Sequence, residues 1–138
     1  MERPLTSPNL ETLDRFAYPP ERVDKPWGYE LIWAKTDRYA GKILFVRAGK
    51  ALSLQFHRAK DESWYVLEGR AELELGRTGE AVTKTELIAA GAAFHFEPGT
   101  VHRVRAVDDT TILEVSTPEL DDVVRLADDY GRDGTSEP

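Results

Sequence analysis

An all-β barrel is the fold this chain predicts, on three observations. From Trp27 onward, short runs rich in β-branched and aromatic residues recur at regular intervals, each closed by a turn signal. One of them, Ala71-Glu72-Leu73-Glu74-Leu75, alternates apolar and polar, as a strand with one buried face does. No amphipathic stretch of helix length interrupts these runs. Many short, evenly spaced strands close into a sandwich or a barrel.

Residues 1–21 read as an N-terminal arm. Ser7, Pro8 and Asn9 can start a short helical turn with Leu10, Leu13 and Phe16 on one side, and Tyr18-Pro19-Pro20 stops it. Such an arm packs either on a neighbouring subunit or on its own barrel. The barrel occupies 22–132, with strands expected at 29–34, 42–47, 53–57, 64–67, 71–75, 81–86, 93–96, 101–107 and 111–115. A short C-terminal helix is expected over 119–129. Thr117 would cap it, Pro118 suits its first position, and Leu120, Val123, Val124 and Ala127 would form the buried stripe before Gly131 ends it. Residues 133–138 read as a frayed tail.

At 138 residues the chain can bury one core. Its 41% hydrophobic and 31% charged residues fit a soluble globular domain. A net charge of −7 argues against nucleic acid or an anionic membrane as partner, because phosphate backbones and headgroups need clustered cations. It leaves room for a small phosphorylated ligand, which one or two local cations can hold. With no cysteine, disulfides and thiolate metal sites are excluded. The first residues lack the apolar core of a secretory signal, and no run reaches transmembrane length, so the cytoplasm is the expected location.

Of the three histidines, two stand where a metal site would need them. Gln55 and His57 are two apart and share a strand face. Glu62 follows after a tight turn, and His102 comes from a distant strand just after Pro98-Gly99-Thr100. A Gln-x-His pair alone is an ordinary polar pair. Glu62 and His102, each beside a turn, make it a candidate ligand set. Mixed nitrogen and oxygen donors suit a divalent transition metal (zinc, manganese, iron, cobalt or nickel) better than magnesium or calcium.

These residues carry a resemblance. Gly49, Gln55, His57, Glu62 and Gly69 keep the spacing of the first cupin motif, with Gln55 in place of its first histidine. Gly91, Gly99 and His102 keep that of the second, with Glu97 in place of its proline. The chain therefore resembles a single-domain cupin, a jelly-roll barrel or double-stranded β-helix. KPWGYE near residue 25, LSLQFH at 52–57 and DDVVRLADDYGR at 121–132 are similar to the C-terminal cupin domain of type II mannose-6-phosphate isomerases. In that family a guanylyltransferase domain often precedes the cupin, and none is expected here. The resemblance implies a metal held by Gln55, His57, Glu62 and His102, and aldose–ketose isomerisation of a sugar phosphate. The family usually carries further histidines where this chain has Arg58, Ala59 and Ser63.

Isomerisation also needs a base that moves a proton between adjacent carbons. His95, in Phe94-His95-Phe96 on the strand leading to His102, is the first candidate, and Lys42 the second; either would serve only if it points inward. Trp64 shares the parity of Glu62 and could wall a sugar. Lys60 and Arg103 are the candidate phosphate contacts, although alternation turns Arg58 and Arg103 outward. Two other readings stand beside the isomerase. His57, Glu62 and His102 are also a two-histidine, one-carboxylate set of the non-haem metal dioxygenase kind, and the chain could be a non-catalytic cupin binding a small metabolite. A homodimer is expected by family analogy.

Overall fold

The computed structural model describes residues 16–82 and 84–132, and within them the chain is strand and turn throughout. In chain order the strands are β1 Glu21–Lys25, β2 Gly28–Lys35, β3 Ala40–Val46, β4 Leu54–Phe56, β5 Glu62–Glu68 and β6 Arg70–Arg77. They continue with β7 Lys84–Ala89, β8 Ala93–Phe96, β9 Thr100–Ala106, β10 Thr110–Ser116 and β11 Val124–Ala127. One sheet runs β1-β2-β3-β10-β5-β8, the other β11-β4-β9-β6-β7, and every strand pairing is antiparallel.

Alternation decides what lies between the sheets. Leu44 and Val46 on β3, Trp64 and Val66 on β5, Ala71 and Leu73 on β6, and Val104 and Ala106 on β9 form the core with Trp27, Phe96 and Ile112. The same inward parity on β2, β3 and β10 carries Glu30, Lys42 and Glu114 into the interior, where all three are buried. Charges so placed need partners within the barrel. At the β5–β6 turn, Gly69 has φ +94°, and a Cβ there would come within 2.3 Å of the Asp109 carbonyl oxygen, so a larger residue does not fit without backbone movement.

Three expectations are corrected. The strand placed at 81–86 is β7, shifted toward Ala89. Glu21–Lys25 is a strand on the sheet edge, ahead of the first expected strand at 29–34. The C-terminal helix is absent. Thr117, expected as its cap, instead accepts the backbone N–H of Asp61 through its hydroxyl, at 3.0 Å. The Asp122 carboxylate accepts the backbone N–H groups of Arg58, Ala59 and Lys60, at 3.0, 2.7 and 2.9 Å. The segment then runs straight and pairs with β4 as β11. Val123 and Arg125 are buried while Leu126 is 45% exposed, a period of two rather than a helical stripe. The turn placed at Leu10 and Leu13, and the tail 133–138, lie outside the described residues.

Candidate metal centre

Three passes of chain converge inside the barrel. His102 leaves β9 beside Gln55 of β4, its partner across the ladder. Residues directly opposed in an antiparallel pair share a face, so both point inward. Glu62 opens β5, and His57 follows β4 at the edge of the loop to it. The Gly99 N–H donates to the His57 carbonyl at 2.8 Å, tying the turn before His102 to the first motif. His57, Glu62 and His102 are all buried, and one donor atom from each lies within 4.8 Å of the others.

The hydrogen bonds identify which ring atoms face the centre. His57 Nδ1 is 2.5 Å from the Asp122 carbonyl oxygen and His102 Nδ1 is 2.9 Å from that of Thr100. A carbonyl can only accept, so both Nδ1 atoms carry the proton, and in the neutral ring Nε2 presents a lone pair. Those Nε2 atoms lie 3.4 Å and 2.9 Å from the two Glu62 carboxylate oxygens. Lone pairs thus face a buried carboxylate, and none of these four atoms has a well-formed hydrogen bond. Either extra protons or a shared cation must reconcile them; the donor set and its backbone-fixed tautomers fit a metal.

Aromatic packing holds the rings. Phe96 stacks on His102 at 4.4 Å, nearly parallel, and Trp64 meets the same ring edge-on at 5.4 Å. Trp64 Nε1–H donates to Glu114 at 3.1 Å. Lys60 extends inward from the loop and bridges Glu62 at 2.8 Å and Glu114 at 3.0 Å. Lys42 donates to Glu30 at 3.1 Å. Burial raises the affinity of Glu62 for a proton, but with no metal between them, His102 and His57 rings protonated on both nitrogens, together with the Lys60 ammonium, outweigh it and hold the carboxyl well below its ordinary range. Desolvation opposes charge on Lys60 too, yet Glu114 and Glu62 together raise its pKa above the usual lysine value.

The expected residues divide cleanly. Gln55, His57, Glu62, Trp64, Lys60 and Lys42 all line one cavity. Lys42, with solvent named as its alternative, is buried there because β3 turns it to the same side as Leu44. His95 is a correction: its side chain is 54% exposed and bonded to Asp61 at 2.6 Å, because inward parity on β8 belongs to Phe96. Arg103 is another. It pairs with Glu74 across β9 and β6, on the face opposite His102, and does not line the cavity. Residues not singled out from the sequence also line it: Lys25, Glu30, Glu114, Arg125 and Arg132. Strand parity could have found Glu114, which shares a face with Ile112. Arg125 was hidden by the helix expectation.

Residues 17–128 match the family model described as "Mannose-6-phosphate isomerase C-terminal". The chain belongs to this family. Among curated relatives, it is 37% identical over 114 residues to a mannose-1-phosphate guanylyltransferase of Escherichia coli strain K12, an alignment covering 80% of this chain and 23% of that protein. It is 31% identical over 121 residues to the alginate biosynthesis protein AlgA of Pseudomonas aeruginosa, covering 84% and 24%. The chain thus spans about a quarter of the length of these relatives.

Solved structures agree on the fold. KdgF from Halomonas sp. superposes with a TM-score of 0.59 at 22% identity, covering 72% of this chain and 88% of that one. Oxalate decarboxylase of Bacillus subtilis, studied for its Mn(II) centres, gives 0.65 at 19% identity, covering 77% and 30%. The barrel is a cupin. No helix among the described residues is long and apolar enough to cross a membrane.

Proposed function

We propose that this cupin binds a divalent transition metal through His57, Glu62, His102 and Gln55, and interconverts an aldose and a ketose, with a sugar or sugar phosphate as substrate. The observation carrying this reading is the pair of bare Nε2 atoms turned onto a buried carboxylate, each held in that tautomer by a backbone carbonyl. The name of the matched family model supports the choice of reaction class.

A metal bound there would supply Lewis acidity toward a carbonyl or hydroxyl oxygen. The chain's own residues do the rest. Trp64 and Leu52 line the cavity and exclude water from a sugar carbon skeleton. The Glu30 carboxylate and Lys42 ammonium, one hydrogen bond apart on that wall, form an acid–base couple. Glu30 accepts the proton from one carbon and returns it to its neighbour, while Lys42 gives a proton to the carbonyl oxygen and takes one back from the neighbouring hydroxyl as that becomes the new carbonyl. Lys60 holds the Glu62 and Glu114 carboxylates in place.

A second reading, a cupin that binds a sugar without turning it over, is favoured by one feature: Glu30, Lys42, Lys60 and Glu114 are each already ion-paired. Metal analysis of the purified protein and a coupled assay for mannose 6-phosphate to fructose 6-phosphate separate the two. Stoichiometric metal with turnover, both abolished by His102→Ala, is the expected result. Metal-free wild-type protein, or turnover that survives the substitution, would overturn the proposal, and iron with oxygen consumption would replace it with an oxygenase.

A further inference from the structure

We infer that the outer face of the six-stranded sheet binds a second copy of this chain, as a symmetric dimer packed face to face. The strand register supplies the surface. Leu31, Ile43, Leu113, Tyr65 and Ala93 are successive cross-strand partners on β2, β3, β10, β5 and β8. Directly opposed residues share a face, so these five make one apolar row across the sheet. The row lies outside, because Lys42 and Glu114, which alternate with its members, are buried within the barrel. Trp33 and Val115 flank it on one side, and Phe45 and Leu67 on the other. Trp33, Tyr65, Leu67 and Val115 are all at least 41% exposed. On the central strands of the other sheet the outward positions are Glu72, Glu74, Arg103 and Arg105, and Arg103 pairs with Glu74. One outer face of the barrel suits water and the other does not. At about 4.8 Å per strand and about 6.8 Å between rows, the apolar face covers about 500 Å² per copy. Two such faces together offer about 1,000 Å², the size at which a specific interface begins.

Charge and shape name a second copy as the occupant. The chain carries a net charge of −7, so two copies repel each other over most of their surfaces. The apolar rows carry no carboxylate or ammonium to oppose their own image. The face also holds a knob and a hole. The knob is Trp33, whose indole lies over Gly41 of β3, so close that a Cβ there would come within 2.6 Å of the ring. The hole is a shallow depression whose lining includes Tyr65, Ala93, Phe94, Leu113 and Val115. Knob and hole sit on opposite sides of β10, the middle strand of these five. They also sit at one level along the strands, because Gly41 is the cross-strand partner of Val115. A two-fold axis along β10 lays the β2–β3 side of each copy over the β5–β8 side of the other and preserves that level. Each Trp33 then enters the depression of the other copy, which is the reciprocity a symmetric interface requires.

Sedimentation velocity of the full chain over a wide concentration range tests the inference. The wild type should be a dimer with a micromolar or tighter dissociation constant. Tryptophan emission should shift to shorter wavelength as the dimer forms, because Trp27 and Trp64 are already buried and only Trp33 has solvent to lose. Trp33→Glu and Leu113→Glu each place a charge in the covered face twice per dimer. Each should weaken association at least about a hundredfold with circular dichroism unchanged. Trp33→Glu, at the more exposed position, serves alone if Leu113→Glu does not fold. Glu72→Lys, on the charged face, should leave the dimer intact. A monomeric wild type would overturn the assignment and leave the face to residues 1–15 or to an unrelated protein. A dimer that survives Trp33→Glu, or one that Glu72→Lys dissociates, would overturn it as well.

Discussion

The loop-and-strand segment 55–62 and the closing segment 121–132 both reach the same cavity, but they were legible to very different degrees. In the first, spacing alone carries the donors: two residues on one strand face, a short turn, then a carboxylate. In the second, the pattern Leu120, Val123, Val124 and Ala127 imitates a helix, and a strand forms instead. The first segment has an internal rule. The conformation of the second is set by what it meets, namely the free edge of β4 and three backbone N–H groups awaiting the Asp122 carboxylate. Local periodicity informs only where the partner is local.

The contrast can be broken most forcefully at Lys60. Lys60→Met leaves two buried carboxylates, Glu62 and Glu114, without their shared cation, which should cost about 3–5 kcal/mol in urea unfolding of chelator-treated protein. With metal bound the loss should shrink, because Glu62 then has another positive partner. An equal loss with and without metal would mean that Glu62 is not a ligand.

Asp122→Ala comes next. It removes an acceptor for three N–H groups and should lower stability by about 1–2 kcal/mol, read as a shift in the denaturant midpoint. Burial works against the Asp122 charge, but the N–H groups of Ala59, Arg58 and Lys60 prevail and hold its pKa below the ordinary aspartate value. Its contribution is therefore complete above about pH 4 and is lost as pH falls through the depressed value. Melting curves between about pH 5 and pH 2 should fall less steeply for Asp122→Asn than for wild type. Identical acid limbs would show that this carboxylate does not anchor the loop.

The smallest effect belongs to His95→Ala. With its ring outside the barrel and paired only with a half-exposed Asp61, the substitution should change stability by less than about 0.5 kcal/mol and leave metal content and any turnover intact. Loss of turnover would restore His95 as the base.

The barrel and the convergence of the candidate donor residues were readable because strand alternation and turn residues are local signals. Gln55, His57, Glu62 and His102 follow from parity and turns, and Trp64 from the parity of Glu62. His95 and Arg103 were candidates for their nearness to His102, and both stand on the outer face: alternation already turns Arg103 outward, and on β8 Phe96 takes the interior. Glu30 and Glu114 were passed over because a carboxylate on a core-facing parity reads as an error until its lysine partner, from another strand, is known. Arg125 depends on β11, whose pairing with β4 is nonlocal, while Lys25 sits on β1, the hairpin partner of β2 that lies ahead of the first expected strand.

The hydrogen bond from the Gly99 amide to the His57 carbonyl makes the two motifs a single mechanical unit. Lengthening the 97–100 reverse turn by one residue would drag the distant 57 ring out of alignment as surely as mutating it, so insertions should be rejected there even though the tip is solvent-facing.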